Sequence, residues 1–167
     1  MSVLRLGTRG SLLALAQSKR VKSALEANGQ TTVELEIIRT VGDDQLERPI
    51  HELSGQGLFT RELDKALLSG RVHLAVHSLK DLPTALPDGL CLAAVPTRVD
   101  PRDVVAGTEG QRTTLAMLDK GATVGTSSLR RAAFLRAFHC DLSPRMIRGN
   151  VDTRLQKVDD GKFDAII

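Results

Sequence analysis

At 167 residues the chain has room for one full domain or two small ones, and its 41% hydrophobic content suffices for a globular core. No apolar run approaches the roughly 20 residues that a membrane span needs, and the opening Met1-Ser2-Val3-Leu4-Arg5 has no secretory pattern. The net charge of +3, from 23 basic and 20 acidic residues, comes without Trp or Tyr and without a basic stripe, which argues against nucleic acid.

Strand and helix patterns alternate in chain order. Residues 3–7 read as a strand, and Ser11 is a good N-cap for a helix carrying Ala14, Val21, Ala24 and Leu25 near one face and stopping at Asn28-Gly29. Residues 33–37 alternate with period two, as a half-buried strand does. Phe59, Leu63, Ala66 and Leu67 form a second helical stripe, ended by Ser69-Gly70; strands follow at 72–76 and 90–95. The four Phe (Phe59, Phe134, Phe138, Phe163) read as core positions.

The polar stretch Pro96-Thr97-Arg98-Val99-Asp100-Pro101-Arg102-Asp103 reads as a hinge, dividing the chain into 1–98 and 99–167. The pattern then repeats: a short helix at 114–118, a strand at 122–125, a helix at 127–138, a strand at 145–148, a helix at 151–158 and a strand at 163–167. The expected class is α/β with parallel-rich sheets. The chain stops inside an apolar run, so the second lobe reads as truncated, with an unpaired apolar edge that invites self-association.

The loops carry the chemistry. Asp81 lies in a Pro-containing turn after the 72–76 strand, where an open α/β sheet presents ligands. Arg9 with Ser11, Arg130 and Arg131 beyond Thr126-Ser127-Ser128, and Arg148 with Arg154 lie at helix starts, which favour anions. Their forks suit carboxylates, and phosphate would suit the same turns. Together they imply a substrate anionic at its periphery and cationic at its reacting centre.

No Gly-x-Ser-x-Gly elbow surrounds Ser127 or Ser128, and no nucleotide loop is present. His73 and His77 on one strand would stand about 13 Å apart, so no metal site is expected. Cys91 and Cys140 are too few for a disulfide framework, which points to a reducing cytoplasm, and their settings, a strand and a helix end, read as structural.

Taken together, Leu6-Gly7-Thr8-Arg9-Gly10-Ser11, Gly57-Leu58-Phe59-Thr60-Arg61-Glu62-Leu63, Val76-His77-Ser78-Leu79-Lys80-Asp81-Leu82-Pro83, Asp100-Pro101-Arg102-Asp103, Val124-Gly125-Thr126-Ser127-Ser128-Leu129-Arg130-Arg131 and Ile147-Arg148-Gly149-Asn150-Val151-Asp152-Thr153-Arg154 resemble the porphobilinogen deaminase (hydroxymethylbilane synthase) family over essentially the whole chain. The resemblance implies two lobes like those of periplasmic binding proteins, a cleft between them, and a third domain absent here. It also implies a cytoplasmic transferase, usually monomeric and binding no membrane or nucleic acid, that condenses four porphobilinogen units, with loss of ammonia, on a dipyrromethane cofactor.

By that resemblance Asp81 contacts pyrrole N–H groups and stabilises the azafulvene cation. Arg9, Ser11, Lys80, Thr126, Ser128, Arg130, Arg131, Arg148 and Arg154 bind the carboxylates of cofactor and substrate. Neither cysteine stands in the context of the family's cofactor cysteine. Gln56 and Glu52 replace lysines of the family's mobile loop, removing positive charge. The alternative reading is a non-catalytic anion-binding module or an inactive truncated paralogue.

Overall fold

The structure is a computed structural model, which describes residues 2–27, 29–40, 42, 57–108 and 111–167. The chain divides into two compact units, Met1–Val95 and Pro96–Ile167. Unit 1 holds β1 (Ser2–Thr8), α1 (Leu12–Glu26), β2 (Thr31–Ile37), α2 (Arg61–Leu68) and β3 (Leu74–Ala75). Unit 2 holds β4 (Thr123–Gly125), α3 (Leu129–Phe138), β5 (Ser143–Arg145), α4 (Val151–Asp159) and β6 (Ala165–Ile166). The sheets run β2-β1-β3 and β5-β4-β6, with every strand pairing parallel. Among the described residues, each unit therefore repeats one β-α-β-α-β plan in which the first strand becomes the central one.

Successive residues of a strand face opposite ways, and this places the helices. On β1, Thr8 is fully buried and its Oγ1 accepts a 2.7 Å hydrogen bond from Ser18 of α1. The neighbouring Gly7 faces the other side, where a Cβ would come within 3.2 Å of Leu63 on α2 and of Val72. Helices α1 and α2 thus cover opposite faces of the first sheet. Leu63 is fully buried with Ile38, Ala66 and Val72, and burying a side chain of that size contributes roughly 1.5–3 kcal/mol.

Unit 2 repeats the arrangement. Val124 packs with Leu135 of α3 and with Leu142. Gly125 faces the cluster of Ile147, Ile166 and Val158 of α4; a Cβ there would lie 3.0 Å from Ile166 and Phe163.

Several expectations are corrected. Ala24 is exposed, because at 3.6 residues per turn it lies about 120° around α1 from Ser18, the buried residue of that helix. Phe59 precedes α2 and packs in a turn, where a side chain at Gly42 would meet its ring at 2.2 Å. Phe134 and Phe138 are 54% and 71% exposed and stack on each other, centroids 5.7 Å apart. They stand i,i+4 on α3, and it is Leu135 that turns toward β4.

The 72–76 strand shrinks to Leu74–Ala75, although His73 and Val76 still donate to carbonyls of β1. The apolar stretch 90–95 forms no strand, and residues 91–100 are all exposed, because strand composition makes a strand only where a neighbour supplies a ladder. Both cysteines are accordingly exposed and free, not embedded in strand or core.

The strand expected at 145–148 sits earlier, at Ser143–Arg145. Pro144 pairs with Val124 on an edge strand, where a missing N–H is tolerated. The short helix at 114–118 is a single tight turn, Leu115–Met117. At the far side of β6, Ala106 and Ile166 exchange two backbone hydrogen bonds, so that edge is partly paired.

Candidate functional site

Parallel strands deliver the loops that follow them to one edge of their sheet, and each unit gathers its candidate residues there. In unit 1, β1 ends at Thr8, and the chain turns through Arg9 and Gly10 into Ser11, whose side chain accepts from the Ala14 N–H and caps α1. Arg9 lies over the Phe59 ring, 4.2 Å from its centroid, a placement that holds the guanidinium plane while keeping its charge. Beside it, β3 leads into a tight turn at Leu79–Asp81. The Asp81 N–H donates to the Ser78 carbonyl at 2.9 Å, and the Ser78 hydroxyl meets the Gln17 side chain at 3.2 Å, so α1 braces the turn. Asp81 is half-buried and Lys80 exposed.

His77 completes this edge. Burial holds its pKa below the ordinary value; Asp64 and Asp81 oppose that shift, and Arg9 adds to it. Its Nε2 is buried without a hydrogen-bond partner. His73 stands apart, where its Nδ1 accepts from the Arg5 N–H at 3.0 Å.

In unit 2, β4 ends at Gly125 and the buried Thr126 follows. The Thr126 hydroxyl accepts from the Ser128 N–H at 3.2 Å, and Ser128 caps α3 by accepting from the Arg131 N–H at 3.3 Å. Arg130 and Arg131 both grip Asp103. Nη2 of Arg130 donates to Oδ2 at 2.9 Å, while Nε and Nη2 of Arg131 donate to Oδ1 at 3.1 and 2.8 Å. The hydrogen bonds from Arg131, then those from Arg130, hold the Asp103 carboxyl below the usual carboxylate range.

After β5 come Arg148 and Gly149, the latter at φ +114, a backbone that side chains rarely adopt. The turn enters α4, from which Nε of Arg154 donates to the Gly149 carbonyl at 2.8 Å. Arg154 is half-buried, and its pKa is lowered first by burial, then by Arg148 and by Arg131. Arg154 thus feels two neighbouring guanidinium groups where water is partly excluded, a setting that favours an anion. The expectations at Glu52 and Gln56 lie outside the described residues. Among the described residues no group of three or more His, Cys, Asp or Glu could hold a metal, and no helix is long and apolar enough to cross a membrane.

A family model described as "Porphobilinogen deaminase, dipyromethane cofactor binding domain" matches residues 4–167. The chain belongs to the porphobilinogen deaminase family. Relatives named porphobilinogen deaminase are 50% identical over 166 residues in Syntrophobacter fumaroxidans, 51% over 165 in Roseiflexus sp. (strain RS-1) and 51% over 167 in Albidiferax ferrireducens. Those alignments cover 99%, 98% and 100% of this chain but 53%, 54% and 52% of the relatives. The chain therefore spans about half the length of the curated deaminases it matches.

Sequence reasoning passed over three side chains that the structure sets among the deaminase motifs. Asp103 lies in the stretch read as hinge, and no local signal links it to the Arg130-Arg131 pair, since only the fold brings them together. His77 was weighed only as a metal ligand. Gln17 carried no signal, since only the packing of α1 brings it to Ser78.

Proposed function

We propose that this chain is part of a hydroxymethylbilane synthase, a transferase that joins four porphobilinogen units head to tail. The two units are read as lobes like those of periplasmic binding proteins, divided near residue 98. The observation that carries the reading is the family match over residues 4–167, which includes the helix starts bearing Arg130, Arg131, Arg148 and Arg154; a multi-carboxylate ligand suits those cations.

In this reading Arg9, Ser11, Lys80, Thr126, Ser128, Arg130, Arg131, Arg148 and Arg154 hold the acetate and propionate groups and fix the pyrrole rings in register, the positioning part of catalysis. As the C–N bond of porphobilinogen's aminomethyl group, protonated as an ammonium, breaks, its electron pair leaves on nitrogen and ammonia departs. Positive charge spreads over the pyrrole. Asp81 accepts a hydrogen bond from the ring N–H and stabilises that charge. The free α carbon of the next pyrrole then forms the new C–C bond and sheds its proton.

The guanidinium set fits the carboxylates of a dipyrromethane, which Arg130, Arg131, Arg148 and Arg154 would hold; when bound, it supplies the pyrrole end from which the chain grows. The exposed Cys91 and Cys140 are not assigned to its attachment. A cytoplasmic location belongs to the same proposal, supported by the low cysteine usage.

Asp81→Asn in the protein expressed from its own gene is expected to lower turnover about 10²–10³-fold. Porphobilinogen affinity should stay within about threefold, since the carboxylate-binding arginines are intact. Near-normal turnover removes Asp81 from the mechanism. Consumption of porphobilinogen by the unaltered protein that stops at stoichiometry favours the anion-binding module.

A further inference from the structure

We propose that Asp103 is a built-in substitute for a ligand carboxylate: it holds Arg130 and Arg131 in a binding-ready fork and is displaced from Arg131 when ligand arrives. The inference rests on the reading of those arginines as a carboxylate subsite and adds the group that controls it.

Three observations support it. One carboxylate takes four charge-assisted hydrogen bonds from two consecutive arginines, the geometry by which such a fork reads any carboxylate. Three of the five N–H donors of Arg131 are engaged, its Nε and Nη2 on Asp103 and its Nη1 on the Ile167 carbonyl at 3.0 Å. Its Nε/Nη2 edge, the side-on face that pairs a carboxylate, is the one Asp103 occupies, so a ligand carboxylate reaches that edge only by exchange with the Asp103 side chain. Finally, Asp103, Arg130 and Arg131 are the charged lining of a cavity of about 540 Å³ that is otherwise mostly apolar, which leaves space for a ligand carrying a carboxylate on an apolar body.

The energetic sense follows. Two adjacent arginines without Asp103 would repel each other and sample many rotamers, at an ordering cost when ligand binds. With Asp103 the order is prepaid, and the ligand competes for a partly exposed ion pair of modest strength. Asp103 is a positioning residue: it lowers affinity slightly and raises the fraction of bound ligand in register.

The test measures porphobilinogen binding by calorimetry and turnover kinetics in the protein from its own gene, in Asp103→Asn, Asp103→Glu and Arg131→Met. Asp103→Asn is expected to bind porphobilinogen about threefold to tenfold tighter while kcat falls, so KM and kcat drop together; Asp103→Glu restores both toward the parent. Unchanged or weaker binding in Asp103→Asn, with weaker binding in Arg131→Met, overturns the substitute role and leaves the subsite standing. Unchanged binding in Arg131→Met overturns the subsite itself. Should Asp103→Asn fail to fold, the Nε–H resonance of Arg131 in the unaltered protein decides. It moves on adding porphobilinogen if Asp103 is exchanged, and stays if the pair never opens.

Discussion

At the scale of single residues, His77 shows how burial sets a charge state. Burial disfavours its imidazolium, with Asp64 and Asp81 pulling the other way and Arg9 adding to the burial effect. As the pH falls below the unfolded value of 6.5, the unfolded chain takes up the proton before the folded one. Stability contributed by neutral His77 is therefore full above that value. It is lost as the pH falls toward the lowered folded value, and is constant below it. Thermal unfolding at about pH 7.5 and about pH 5.5 should show a smaller drop for His77→Gln than for the unaltered protein. An equal drop in both would assign the acid sensitivity to the carboxylates held low by hydrogen bonds, such as Asp103 and Asp164. None of this is written in the local string around His77, because Asp64 reaches it through α2 and Arg9 through β1.

At the scale of elements, helix starts were the most legible feature. Ser11 and Ser128 each precede a helix and each caps it through a side-chain oxygen, a contact within three residues that needs no tertiary partner. At Ser128 the cap and the candidate site separate cleanly. Ser128→Ala should cost about 1 kcal/mol of stability in denaturant unfolding. Ser128→Asp keeps the cap and its stability, yet sets a negative charge beside Arg130 and Arg131 and, on the proposed function, should weaken porphobilinogen binding. An Asp variant that binds normally would separate the start of α3 from the ligand. Strand ends were harder to read: the ladder to β4, not the composition, draws β5 back onto Pro144, and the 90–95 stretch has strand residues without a ladder.

For the whole molecule, the division at Val95 and Pro96 follows an exposed, irregular segment, with residues 91–104 all open to solvent. Limited trypsin digestion should cut after Arg98 before it cuts after Arg20 or Arg136 inside helices, giving by mass spectrometry fragments 1–98 and 99–167. Earlier cleavage at the helical sites would mean that the segment is shielded in solution. Each fragment carries its own parallel sheet and core clusters, so each is a compact unit by itself.

The sequence by itself determined the alternation of strands and helices, the Ser caps, the doubling of the plan after residue 103 and the strings that place the chain in its family. These depend on periodicity, capping and residue identity, which act over a few positions. Tertiary structure decided which apolar runs gained a ladder, that Phe134 and Phe138 face solvent, that Phe59 underlies Arg9, and that Arg130 and Arg131 already hold a carboxylate in Asp103. Those outcomes turn on contacts between residues 27 or more positions apart, or on which face a helix presents to a sheet, and no local pattern encodes either.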